Sequence, residues 1–161
     1  MGATRTLKRR RLEGKTDYGA RLSLLKSEKT RVVVRKTNRY IIAQIVESDS
    51  AQDKVIVGVS SKDLLNNGWP KEAAGSLKSL SAAYLTGFLL GVKMKGKVKE
   101  AILDMGMHRN VNNSRVYAVL KGLVESGLNI PHGKEALPSD ENIRKNEKVG
   151  KLVDKLKEKL K

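Results

Sequence analysis

The chain has 161 residues, 33 Lys and Arg against 17 Asp and Glu, a formal net charge of +16 and no cysteine. That length holds one domain of ordinary size with tails, and the missing cysteines exclude disulfides, thiolate zinc sites and cysteine nucleophiles. The longest apolar run, Val116 to Leu120, falls far short of the roughly 20 residues of a membrane span or the roughly 7–15 of a signal-peptide core. These features describe a cytosolic, strongly basic globular protein, expected to use no cofactor, whose partner is a polyanion.

The charge is uneven. Residues 1–40 hold 13 basic and 3 acidic residues, net +10, and the densest run is Lys8-Arg9-Arg10-Arg11. Like charges in a block repel one another in water, whereas opposite a phosphate backbone they release counterions. A solvated face is the alternative reading of such a run. A transit peptide is the other, but Glu13 and Asp17 lie inside the segment and such peptides are poor in acids.

Residues 1–16 have little apolar content and no periodicity, and read as an extended basic arm, disordered until it meets its partner. Asp17 caps a short predicted helix from Tyr18 to about Ser27, with Leu22 and Leu25 on one face. Arg31 to Arg35 is a β-branched strand, Lys36-Thr37-Asn38-Arg39 a turn, and Tyr40 to Val46 a second strand. There Tyr40, Ile42 and Gln44 alternate with Ile41, Ala43 and Ile45. Residues 47–53 form another turn and Lys54 to Ser60 a third strand, together an antiparallel meander.

The period then changes. Lys71 to about Val92 is predicted as one helix opened by Trp69-Pro70, with Ala73, Leu77, Leu80, Tyr84 and Phe88 on one stripe. Gly75, Ala83, Gly87 and Gly91 keep its surface shallow enough to lie on a sheet. A fourth strand spans Glu100 to Met105, and a second long helix Ser114 to Ser126, stopped by Gly127. Leu128-Asn129-Ile130 is a short fifth strand ended by Pro131. The order predicts an α/β fold: a mixed sheet of about five strands, an antiparallel meander plus parallel additions, with helices on its faces. The expected division is a basic arm over 1–30, the α/β domain over 31–138 and a charged amphipathic C-terminal helix over 139–161, where Val149, Leu152, Val153, Leu156 and Leu160 repeat at helical spacing.

The motifs for catalysis are weak. Gly91 to Val98 nearly fits a phosphate-binding loop, but Val98 lacks the hydroxyl that would hold magnesium and a helix precedes where a strand is required. His108 and His132 have no ligand spacing. A two-metal nuclease needs three or four converging acids, and Asp104 alone falls at an inner strand end, while Asp49 and Asp53 read as turn formers. Binding is better supported. Tyr84 and Phe88 fall on the core stripe, but Tyr18 and Tyr40 are embedded in basic sequence, a pattern suited to stacking with unpaired RNA bases. Local packing of a strand tyrosine is the alternative. A metal-dependent nuclease and a chromatin-like DNA binder are the rival readings of the whole.

Several strings, taken in order, carry a resemblance. Arg9-Arg10-Arg11-Leu12-Glu13-Gly14-Lys15-Thr16-Asp17-Tyr18 resembles the N-terminal signature of the large-subunit ribosomal protein family that carries 5S ribosomal RNA, in its archaeal and eukaryotic form. Arg31 to Gln44 is similar to that family's first hairpin, Ala82-Ala83-Tyr84-Leu85-Thr86-Gly87 to its main helix. Leu103-Asp104-Met105-Gly106, Arg115 to Gly122 and Gly127 to His132 resemble its C-terminal half, and the short length resembles the archaeal branch. The match runs over about residues 5–135.

The resemblance implies a ribonuclease-H-like arrangement without catalysis. It implies binding of 5S ribosomal RNA, help in attaching it to 23S ribosomal RNA in the central protuberance, neighbouring large-subunit proteins as partners, and a cytoplasmic location. Carried over residue by residue, the RNA-facing groups are Arg5, Lys8, Arg9, Arg10, Arg11, Lys15, Thr16, Tyr18 and Arg21 of the arm. In the hairpin they are Arg35, Thr37, Asn38, Arg39 and Tyr40. Residues 139–161 fit the pattern poorly and receive no role.

Overall fold

The computed structural model describes residues 6–50, 52–145 and 147–160, without the side chains of residues 147, 148 and 151. Strands β1 (Arg31–Lys36), β2 (Ile41–Asp49) and β3 (Gln52–Ser60) form the expected antiparallel meander. Successive side chains of a strand point to opposite faces, so Val32, Val34, Ile41, Ala43, Ile45 and Val59 lie buried together. Strand β4 (Ile102–Asp104) adds parallel to β1, with Val33 opposite Asp104, and completes an open mixed sheet in the order β3-β2-β1-β4.

The sheet has four strands, not five. Leu128–Ile130 runs beside residues 99–101 through two backbone hydrogen bonds and a single bridge, Glu100 to Asn129. The segment is pinched between Gly127, whose φ of 104° closes the preceding helix, and Pro131, which has no N–H to extend a ladder.

The long helix predicted from Lys71 is divided. Lys71–Ser76 is a 3-10 segment, and α3 (Leu80–Met94) starts afresh at Ser79, whose hydroxyl accepts from the Ala82 N–H. Ser76 also turns its hydroxyl onto the Ala73 carbonyl, competing with helical continuation. Helix α3 is buried nearly all round. It lies against β2 and β3, while α4 (Arg115–Glu125) lies against β1.

The shallow glycine surface of α3 receives α4 rather than the sheet. A methyl on Gly87 would overlap the Val119 carbonyl, and one on Gly122 the Tyr84 carbonyl, so the two helices pack backbone to backbone. In α4 the spacing predicts Val116, Leu120, Leu123 and Val124 inward; the first three are buried and Val124 is partly buried.

The C-terminal stretch forms two helices, α5 (Asp140–Arg144) and α6 (Glu147–Leu160), not one. Ile143, Val149, Val153, Leu156 and Leu160 are buried against the core that α3 and Leu64 complete. Lys157 donates to Glu125 at 2.5 Å, and Glu125 accepts from the Tyr84 hydroxyl at 2.6 Å. Burial together with that carboxylate pushes the Tyr84 hydroxyl up to about 12. For Lys157 burial favours the neutral amine, but the bonds to Glu125 and Tyr84 outweigh it and raise its pKa.

Candidate nucleic-acid interface

The N-terminal arm is not fully extended: Arg9–Leu12 forms one helical turn, here α1. Glu13 makes that turn tolerable, lying 3.6 Å from Arg9 and 2.8 Å from Lys15, which relieves part of the repulsion among the cations. Arg10 donates through Nε to the Thr16 hydroxyl at 2.9 Å, and the Lys8 ammonium sits 4.3 Å from the centre of the Tyr18 ring. Tyr18 is thus half-buried beneath a cation. Arg11 is exposed and has no ion-pair or side-chain hydrogen-bond partner among the described residues. Arg5 lies outside the described residues.

Asp17 caps α2 (Tyr18–Lys26) as expected, accepting from the N–H groups of Gly19 and Ala20. The predicted inner face is corrected. Leu22 is exposed, and Leu24 with Leu25 is partly buried instead. The reason lies in what α2 meets, a charged and not an apolar surface.

That surface is the reverse face of the sheet. Register places Arg31, Val33, Arg35 and Asp104 on it. Arg31, with its side chain 2% exposed, donates to Asp104 at 2.8 Å, to Asp53 at 2.6 Å and to Ser48 at 2.8 Å. Arg35 donates to the Asp104 carboxylate at 2.9 Å and to its carbonyl at 2.8 Å. Arg21 of α2 reaches Asp53 at 2.9 Å.

Asp53 is therefore no turn former: it lies in β3 and joins the sheet to α2. Burial alone would raise its pKa, but hydrogen bonds from Arg21, Ser48 and Arg31 outweigh it and hold the carboxyl at about 2. Of the arginines assigned to RNA, Arg21 and Arg35 are thus committed to carboxylates of the protein itself. The buried Arg31 was missed in the sequence. Its place directly before the Val32-Val33-Val34 run was the available signal, since an unpaired charge buried there is not tolerated.

The hairpin tip is built differently. The Thr37 hydroxyl accepts from the Tyr40 N–H at 2.9 Å and donates to the Tyr40 carbonyl at 2.7 Å, so it closes the turn. Asn38 and Arg39 stand exposed at the apex, with no side-chain partner among the described residues, and Tyr40 is half-buried. The arm returns to the side of this hairpin, beside Arg35. Arg10, Lys15, Thr16 and Arg21 line one side of a cavity of about 410 Å³, and Arg35, Asp104 and Gly106 line the other.

This α/β fold commits its buried carboxylate, Asp104, to arginines and leaves Arg11 and Arg39 exposed, the arrangement of a basic α/β protein with outward-facing cations. The family model described as "Ribosomal large subunit proteins 60S L5, and 50S L18" matches residues 4–101 and 95–133. The large ribosomal subunit protein uL18 of Korarchaeum cryptofilum is 48% identical over 151 residues, covering 93% of this chain and 75% of that protein. Its counterpart in Methanospirillum hungatei is 47% identical over 137 residues, 84% and 76% of the two chains. That of Aeropyrum pernix is 43% identical over 152 residues, 93% and 69%.

The chain belongs to this family of large-subunit ribosomal proteins, in its archaeal form. It is a structural, non-enzymatic component of the large subunit of the cytoplasmic ribosome, with ribosomal RNA and ribosomal proteins as its partners.

Proposed function

We propose that this protein binds 5S ribosomal RNA and helps attach it to 23S ribosomal RNA in the central protuberance, using the arm and the hairpin tip. The observation that carries this reading is the return of the arm to the side of the hairpin, where Arg10 and Lys15 line the same cavity as Arg35 while Arg11 and Arg39 stay exposed. Arg9, Arg10, Arg11 and Lys15 lie along phosphates, giving affinity with little sequence information. At the apex Arg39 and Tyr40 stack on unpaired bases and Asn38 hydrogen-bonds to them. Thr37, its hydroxyl occupied within the turn, acts by holding Tyr40 in place.

Arg21 and Arg35 act at one remove, fixing α2 and the side of the hairpin through Asp53 and Asp104. We also propose that the sheet is a non-catalytic relative of the ribonuclease-H-like arrangement. The antiparallel β1–β3 meander with β4 added in parallel supports this.

The test is capture of total cellular RNA on the full-length protein, with enrichment of one RNA of 5S size expected. Competition with duplex DNA at equal salt separates this reading from a chromatin-like binder. If about 6 to 8 phosphates are neutralised, log affinity falls with log salt at a slope of roughly −4 to −7. A slope shallower than about −2 would remove the arm from the interface.

A further inference from the structure

The basic groups discussed so far lie on the arm and the hairpin. A second cluster stands where β1 enters the hairpin turn, beginning at Lys36. A cavity of about 440 Å³ is lined by Lys36, His108, Arg109, Asn113, Ser114 and Arg115, with Leu80, Val111 and Val116 as its apolar wall. Among the described residues no carboxylate lines it. Among the described residues Lys36, Arg109 and Arg115 form no ion pair. This is the opposite of Arg31 and Arg35, whose charges are met within the protein.

The cleft is also pre-formed. Asp104, already held by both arginines, accepts from the N–H of Gly106, and Gly106 starts the loop at a φ of 61°, a left-handed conformation that strains any residue with a side chain. The Lys36 N–H donates to Nε2 of His108 at 2.9 Å, tying the loop to β1. Burial and the charges of Lys36 and Arg35 lower the His108 pKa, consistent with a neutral ring accepting there. Further along, the Tyr117 hydroxyl donates to Asn110 at 2.7 Å and the Asn113 N–H to the Ala136 carbonyl at 3.0 Å.

Three uncompensated cations around a rigid concavity cost repulsion that a polyanion would relieve. A volume in the range of small-ligand sites accommodates about one nucleotide. We propose that this cleft is a second ribosomal-RNA contact, taking the phosphates and one ribose of an unpaired strand that continues from the hairpin tip. Lys36, Arg109 and Arg115 hold the phosphates, and Val111, half exposed, lies against the sugar. Continuity favours RNA as the occupant: Lys36 lines the cleft and immediately precedes the turn at Thr37. The inference rests on the ribosomal-RNA reading and adds a surface to it.

The experiment compares full-length wild type with the triple variant Lys36→Gln, Arg109→Gln, Arg115→Gln and with a charge-matched control, Lys54→Gln, Lys62→Gln, Lys71→Gln. Each is titrated with transcribed 5S ribosomal RNA and with 23S ribosomal RNA at several salt concentrations, and its melting temperature is recorded. The cleft variant is expected to lose roughly a hundredfold in affinity near physiological salt, with a slope shallower by about 2. The control should stay within about threefold of wild type, because none of its three lysines lines the cleft.

Equal losses in the two variants, or none in the cleft variant, would overturn the inference. Wild-type binding of 5S RNA would in either case leave the arm-and-hairpin reading standing. If wild type binds only 23S RNA and the cleft variant loses it, the cleft stands and the 5S reading falls. If wild type binds neither, both fall. Should the triple variant melt early, Arg109→Glu alone, on an exposed loop residue, replaces it, with roughly a tenfold loss supporting the cleft and unchanged binding refuting it.

Discussion

Beneath α3 and α4 the sheet presents Val32, Val34, Ile41, Ala43 and Ile45, while on its reverse, beside α2, it presents Arg31, Arg35 and Asp104. The first face is closed by apolar area and by backbones brought close at Gly87 and Gly122. The second is closed by ion pairs that grade from buried, at Arg31, to partly exposed, at Arg35 and Arg21. Arginine therefore does two jobs in this chain. Those on the sheet organise it, and those on α1 and the hairpin apex remain outward for a partner. Depth, more than residue type, separates the two sets.

Breaking the charged face at its centre has the largest expected effect. Asp104→Ala leaves Arg31 buried with one partner removed and should cost about 3–5 kcal/mol in urea unfolding. A cost below about 1 kcal/mol would put the reverse face on a par with ordinary surface pairs. The apolar face is tested at the helix contact. Gly122→Ala places a methyl against the Tyr84 carbonyl and should cost about 1–3 kcal/mol, whereas Gly75→Ala meets open space and should be near neutral. Equal melting temperatures for the two variants would refute the close packing.

The two faces also differ in their response to acid. Asp53 is held at about 2, below its ordinary 3.8. A depressed carboxyl contributes stability that is fully present above about pH 4 and is lost as pH falls through its folded value. Because the carboxyl is 33% exposed and water screens it, about 1 kcal/mol is expected from this group between pH 5 and 2. Arg21→Gln should shrink that acid-sensitive part, measured as urea midpoints against pH, and an unchanged profile would exclude the link to α2. The smallest effect on stability belongs to the apex. Arg39→Ala should alter unfolding by less than about 0.5 kcal/mol while weakening 5S RNA binding by about 1–3 kcal/mol. A lowered melting temperature with normal binding would assign Arg39 to the fold instead.

The apolar face was legible in the sequence because its signal is local. A β-branched run marked β1, alternation marked β2, and the spacing of Val116, Leu120, Leu123 and Val124 marked α4. The charged face was not, because its partners are far apart in the chain: Arg31 and Asp104 meet only once β4 has docked beside β1. Leu22 was misplaced for the same reason, since α2 rests on arginines and acids that no period reveals. The break before Leu80 and the aborted fifth strand turn on single hydroxyls and one proline, which outweigh a continuing apolar pattern. Arm and hairpin apex stood out as charge in sequence, but the pairing of Arg21 and Arg35 did not.

The docking of α6 on α3 also sets an order of events at birth. Helix α3 ends at Met94 and α6 begins at Glu147, so as the chain emerges during synthesis the flank of α3 destined for Val149, Val153 and Leu156 waits uncovered. At the usual 5–20 residues per second that interval lasts roughly 3–10 seconds. The basic arm, made earlier, is free throughout to meet RNA. A nascent chain of this protein is thus equipped to engage its polyanion before its own core is closed.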